Sequence, residues 1–207
     1  MNTKIKICGI RRFEDIEYVN EGRPEYIGFV FARSKRQIDA ETAKRLKKRL
    51  NPDIQAVGVF VNEAAEQAAR LVNEGIIDMV QLHGEENEGY IQKLRSFMKR
   101  GKIIQVVRVQ TAQDIKSAEN SSADYLLFDK FSPEAYGGTG ETFEWKLIDS
   151  VKKPFFLAGG IHCENVKKAI TLLHPYSIDV SSAVETEGFK DRDKIMNIIK
   201  SVRETQV

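Results

Sequence analysis

Apolar positions along the chain change period in a regular order. Short runs of β-branched and aromatic residues read as strands at 5–8, 26–31, 54–61, 79–82, 103–109, 125–128, 155–158 and 177–180. Between them, apolar residues recur three and four apart and read as helices at 13–21, 40–50, 63–73, 88–99, 111–119, 145–151, 165–173 and 191–203. Ile16 and Val19 form the inner face of the first helix, and Ala43, Leu46 and Leu50 that of the second. Thr111 followed by Asp114 has the spacing of a capping box. The glycine-rich stretch 132–142 fits neither period and reads as an irregular loop able to close over a site.

Strand and helix alternate through eight units, and no Ser/Pro/Gly linker or shift in composition divides them. A single domain over 1–207 is the expectation. The strands are near-continuous apolar runs, the pattern of a parallel sheet buried on both faces. Such units build either a (β/α)8 barrel, the TIM barrel, or an open doubly wound sheet. Eight units match the barrel, and 207 residues lie near its short end. No G-x-G-x-x-G follows the first strand, which argues against a dinucleotide-binding open sheet. The predicted fold is an α/β single (β/α)8 barrel.

Composition narrows the function classes. Hydrophobic residues make up 42% and charged residues 30%, which excludes a disordered chain, a fibre and a disulfide scaffold. Lys+Arg 32 against Asp+Glu 30 leaves +2, without the basic excess of a general nucleic-acid binder. The basic cluster Lys44, Arg45, Lys47, Lys48 and Arg49 is read as a solvated helix face rather than an anion-binding surface. The longest apolar runs, 26–32 and 56–61, fall far short of a membrane span of about 20 residues. Cys8 and Cys163 form no C-x-x-C pair, so no metal site is expected. They sit on strand ends that are not neighbours around a barrel, so no disulfide is expected either. Met1–Lys6 carries no apolar signal core, and a reducing cytoplasm is the expected home.

A barrel places its site at the C-terminal ends of its strands. Reading those ends in turn gives Cys8-Gly9, then Arg33 to Arg36, Gln81 to Gly84, Asp129-Lys130, Gly159-Gly160 and Ser181-Ser182. A thiol, an acid, an arginine and two small-residue turns suit a phosphosugar. Gly159, Gly160, Ser181 and Ser182 follow strands seven and eight, where barrels hold phosphate on backbone N–H groups. Cys8 as thiolate is a candidate base, if neighbouring cations lower its pKa. Asp129 closes an apolar run and is a candidate general acid. Arg36 can fork two hydrogen bonds onto a carboxylate. His83 reads either as a substrate-orienting group or as a core histidine. Cys163, near a predicted helix start, reads as a bystander.

Taken together, these landmarks resemble the phosphoribosylanthranilate isomerase family of tryptophan biosynthesis over essentially the whole chain. The resemblance rests on Lys6-Ile7-Cys8-Gly9-Ile10, Gly28-Phe29-Val30-Phe31 with Ser34-Lys35-Arg36, and Gln81-Leu82-His83-Gly84. It continues in Leu127-Phe128-Asp129, Gly137-Gly138-Thr139-Gly140 before Phe143, Ala158-Gly159-Gly160 and Asp179-Val180-Ser181-Ser182. It implies a barrel without cofactor or metal that performs the Amadori rearrangement of N-(5-phosphoribosyl)anthranilate to 1-(2-carboxyphenylamino)-1-deoxyribulose 5-phosphate. By that resemblance Asp129 is the general acid at the furanose oxygen and Cys8 the base at the sugar C2. Arg36 matches the arginine for the anthranilate carboxylate, and the glycine and serine pairs hold phosphate. The expected partner is this small phosphosugar, with no nucleic acid and no membrane, and the expected assembly is a monomer or homodimer.

Three positions depart from the family pattern. Ala183 stands where glycine is common, Ile161-His162-Cys163 replaces a proline-containing turn, and Glu144 stands for aspartate. Three rival readings remain beside the isomerase, one of them a nucleic-acid binder that uses the Lys44 to Arg49 face and binds with steep salt dependence. A related phosphosugar isomerase of a histidine pathway favours an aspartate where Cys8 stands. A non-catalytic phosphometabolite-binding barrel needs the glycine and serine turns but not Cys8 with Asp129.

Overall fold

The structure is a computed structural model, and it describes residues 2–130, 145, 148 and 151–205. Eight strands form a closed barrel: β1 (Lys4–Cys8), β2 (Tyr26–Val30), β3 (Gln55–Phe60), β4 (Met79–Leu82), β5 (Lys102–Val109), β6 (Tyr125–Lys130), β7 (Phe155–Leu157) and β8 (Ser177–Val180). Each pairs in parallel with the next, and β8 returns to β1 with Lys6 opposite Asp179. Closure removes both sheet edges, so every strand finds a partner on either side.

Helices α1 (Phe13–Gly22), α2 (Ala40–Lys47), α3 (Ala65–Asn73), α4 (Glu88–Phe97), α5 (Ala112–Ala118), α6 (Val166–Leu173) and α7 (Arg192–Glu204) cover the barrel. Their apolar faces, Ile16 and Val19 of α1 and Ala43 and Leu46 of α2 among them, are buried against outward-facing strand residues such as Ile5, Ile7, Ile27 and Phe29. Thr111 and Asp114 form the expected capping box at α5. The second helix stops at Lys47 rather than 50, because Arg49 and Leu50 donate to Leu46 and Lys47 and tighten the chain ahead of Pro52. Leu50 is still buried. Most of the predicted helix 145–151 and the loop 132–142 lie outside the described residues; Ile148 N–H donates to the Trp145 carbonyl at 3.0 Å.

Strand alternation then decides what points inward. Lys4, Lys6 and Cys8 share the inner face of β1; Tyr125, Leu127 and Asp129 share that of β6. A central layer is apolar, with Val57, Met79, Ile104, Leu127 and Phe156 packed together. Below it, at the N-terminal ends, Lys4 Nζ donates to Tyr176 Oη at 2.7 Å and the Tyr26, Tyr125 and Tyr176 rings close the floor. Above it the inner positions turn polar: Cys8, Gln81, Asp129 and Asp179 open into a cleft.

Sequence reading missed one element. After β8, a single 3-10 turn (Ser182–Val184) leads into a hairpin of β9 (Glu185–Thr186) and β10 (Phe189–Lys190). Its two-residue turn puts Glu187 at φ 52 and Gly188 at φ 79, the double left-handed geometry that twists correctly for a tight hairpin. Arg11 and Arg12 lie 4.5 and 4.6 Å over the Phe189 ring, and Arg11 Nη2 donates to the Gly188 carbonyl at 2.7 Å. The loop after β1 thus braces the hairpin beside the barrel mouth.

In the basic cluster Lys44, Arg45, Lys48 and Arg49 are exposed, as a solvated face requires, and three of the five side chains also meet partners within the protein. The Arg45 and Arg49 guanidiniums lie 5.4 and 4.5 Å from the Phe13 ring centroid, and Lys47 pairs with Asp78. Among the described residues, no helix is long and apolar enough to cross a membrane.

Candidate active site

A cleft of about 730 Å³ opens at the C-terminal ends of the strands. Cys8, Arg36, His83, Asp129, Gly159, Gly160, Ser181 and Ser182 all line it, so the structure brings every sequence-selected residue together. They come from six different strand ends, and the barrel alone makes them neighbours.

Cys8 is 9% exposed at the end of β1. The close approach of β2 requires Gly28, where an added Cβ would sit 2.6 Å from Cys8 Sγ. Beneath it, Lys6 is fully buried and its Nζ donates to both Asp179 carboxylate oxygens at 3.0 Å. Burial opposes the Lys6 charge, but Asp179 and Cys8 more than offset that, and its pKa rises. Burial pushes the Cys8 thiol up; Lys6 and Lys190 pull it down without cancelling the rise. This differs from the thiolate-favouring environment expected from the sequence. The cations are present, but the apolar walls outweigh them.

Asp129 is 5% exposed at the end of β6. His83 Nε2 lies 3.5 Å from Asp129 Oδ2, and Gln81 Nε2 is 3.5 Å from His83 Nδ1. The histidine left open by the sequence therefore lines the cleft directly beside the acid rather than filling the core. Gln81 is itself buried, and its Oε1 has no hydrogen-bond partner among the described residues.

Two turns form the opposite wall. Gly159 and Gly160 sit at φ 78 and 70, consecutive left-handed positions that side chains disfavour. Asn165 staples this turn by accepting from His162 N–H at 2.9 Å and donating to the Gly160 carbonyl at 2.8 Å. Ser181 Oγ donates to the Cys8 carbonyl at 3.1 Å, tying the turn after β8 to β1.

Arg36 reaches the cleft across Gly9. Gly9 has φ 88, and a Cβ there would lie 2.5 Å from Arg36 Cδ. The guanidinium donates from Nε and Nη2 to Glu185 Oε1 and Oε2 at 2.6 and 2.8 Å. Lys190 Nζ donates to Glu185 Oε1 and to the Ser181 carbonyl, both at 2.8 Å. Although Glu185 is desolvated, these cations hold its carboxyl down to about 2.

Lys6, Gln81 and Asp179 stood in sequence landmarks without a role, and Glu185 and Lys190 were not singled out at all. Lys6 and Asp179 carried a signal: each is a lone charge between two apolar strand residues, in Ile5-Lys6-Ile7 and Ile178-Asp179-Val180. Cys163 is exposed at its surface, and partial burial of its thiol raises it more than the backbone N–H of its turn lowers it. Both cysteines are free thiols.

Fold and cleft together define a (β/α)8-barrel enzyme with a thiol and a carboxyl facing a phosphosugar-sized space. Comparison with known proteins makes this specific. Residues 5–201 match the family model "N-(5'phosphoribosyl)anthranilate (PRA) isomerase", and the chain belongs to that family. The N-(5'-phosphoribosyl)anthranilate isomerase of Clostridium acetobutylicum is 47% identical over 204 residues, covering 97% of this chain and 98% of that one. A crystal structure of the Thermotoga maritima isomerase superposes with TM-score 0.88 at 37% identity, covering 98% of this chain and 99% of that one. A further isomerase structure, in complex with reduced 1-(o-carboxyphenylamino)-1-deoxyribulose 5-phosphate, gives TM-score 0.84 at 34% identity, with 98% and 99% covered. The protein is thus an isomerase of tryptophan biosynthesis that performs the Amadori rearrangement of phosphoribosylanthranilate.

Proposed function

We propose that Asp129 and Cys8 divide the acid and base work of this rearrangement. Asp129, entering protonated, gives its proton to the furanose ring oxygen as the C1–O bond breaks. The substrate nitrogen supplies the electron pair, and a Schiff base forms. Cys8, as thiolate, takes the C2 proton, and the C2–H electrons flow toward the nitrogen to give an enol. The enol relaxes to the ketone. His83 steadies Asp129 from directly beside it. The phosphate lies against Gly159, Gly160, Ser181 and Ser182, and Arg36 takes the anthranilate carboxylate.

The observation that carries this reading is one cleft holding Cys8 and Asp129 on inward positions of β1 and β6, with the Gly159–Gly160 turn on its wall. No cofactor enters these steps. A single domain carries the whole activity, and free thiols fit a reducing cytoplasm. The Thermotoga maritima relative is described as dimeric, which supports a monomer or homodimer here.

The test is a coupled assay in which phosphoribosylanthranilate is generated in place and its fluorescence followed. Rapid loss on adding folded protein is expected. Persistent fluorescence in the presence of folded protein would overturn the reading.

A further inference from the structure

Arg36 meets a carboxylate before any substrate arrives. Glu185 occupies the Nε–Nη2 edge of the guanidinium, at 2.6 and 2.8 Å. A guanidinium has a second fork, the end-on edge carrying Nη1 and the other Nη2 hydrogen. No described residue engages that edge, and Arg36 lines the cleft.

Glu185 is itself fixed. It stands directly opposite Lys190 in the β9–β10 hairpin, and Lys190 Nζ binds both its Oε1 and the Ser181 carbonyl. Lys194 Nζ donates to the Glu185 backbone carbonyl at 2.8 Å, and Arg11 and Arg12 grip the hairpin through Phe189. The Arg36 stem crosses Gly9, where even a methyl group would collide with Cδ. A long, flexible side chain is thereby held at its head, along its stem and through its partner.

We propose that Glu185, anchored by Lys190, is a positioning residue that aims the free fork of Arg36 at the carboxylate on the substrate's aromatic ring. This rests on Arg36 being the carboxylate receptor. Arg36 and Lys190 against Glu185 leave one positive charge among these three groups while Cys8 is a neutral thiol, so a second carboxylate is still attracted. The arrangement gives selectivity for an ortho-carboxylated arylamine over a plain arylamine. It does so by removing the rotamer entropy that an unrestrained arginine would lose on binding.

Coulomb attraction and aim make opposite forecasts. Removing the Glu185 charge makes the pocket more positive, so attraction alone predicts tighter binding of a carboxylate. Loss of aim predicts weaker binding. The experiment measures affinity for reduced 1-(o-carboxyphenylamino)-1-deoxyribulose 5-phosphate and for its phenylamino counterpart lacking the carboxylate. Glu185→Gln is expected to weaken the first by about tenfold or more relative to the second. Glu185→Asp keeps the charge but shortens the reach, and a smaller selective loss is expected; it also serves as the test if Glu185→Gln does not fold. In turnover, KM rises while kcat is kept.

Equal weakening of both ligands, or tighter binding of the carboxylated one, would overturn the proposal. Arg36→Met separates the two layers. If it leaves the carboxylate preference intact, the Arg36 assignment itself falls. If it abolishes the preference while the Glu185 variants do not, only the positioning role falls.

Discussion

Replacing Lys6 by methionine removes one half of the buried pair beneath Cys8. Lys6 is 0% exposed and makes two 3.0 Å hydrogen bonds to Asp179, so its loss strands a carboxylate in the barrel interior. Breaking a buried pair on one side costs about 3–5 kcal/mol. For a chain of 207 residues each kcal/mol shifts Tm by about 2–4 °C, so a fall of about 6–20 °C is expected. Thermal unfolding followed by circular dichroism reads it. The double variant Lys6→Met with Asp179→Leu should recover most of the loss, because it leaves no unpaired charge. The pH dependence has a definite sign. Burial pushes Asp179 above its unfolded value, and the missing Lys6 can no longer pull it back. The stranded carboxylate therefore costs most at neutral pH, and the cost fades as pH falls through the folded value toward about 3.9, where both states bind the proton. A single variant within about 1 kcal/mol of wild type, or a double variant no better than the sum of the singles, would refute the reasoning.

Further predictions concern the thiol and the glycines around it. In a Cys163→Ser background, iodoacetamide should alkylate Cys8 with a pH midpoint above that of an ordinary thiol, since burial raises it; a midpoint below that value would contradict the account. Gly28→Ala places a methyl 2.6 Å from Cys8 Sγ, so kcat should fall at least about tenfold with the protein still folded. Gly9→Ala combines left-handed backbone strain of about 1–2 kcal/mol with a collision against Arg36, and KM for the carboxylated substrate should rise.

Much of this molecule is visible in its sequence, for physical reasons that differ by element. The strands are legible because a parallel barrel buries both faces, leaving runs such as Tyr125-Leu126-Leu127-Phe128. Cys8, Asp129 and the Gly159–Gly160 turn are legible because strand ends point into one cleft. The β9–β10 hairpin is not, since two-residue strands carry no periodicity and only Gly188 marks the turn. Glu185 and Lys190 were hidden with it. Lys6 and Asp179 stood in view, yet their pairing depends on a barrel register that joins residues 173 positions apart. The direction of the Cys8 shift was not readable either, because it depends on how deeply the apolar walls bury the thiol beside its cations.

The division of labour between Cys8 and Asp129 is the central claim, and turnover of phosphoribosylanthranilate by Cys8→Ala and Asp129→Asn tests it most directly. Both variants should fold, because neither substitution adds volume to the cleft. Each should lose about 10²–10⁴-fold in kcat with a much smaller change in KM. Near-wild-type turnover by either folded variant would contradict the role given to that residue.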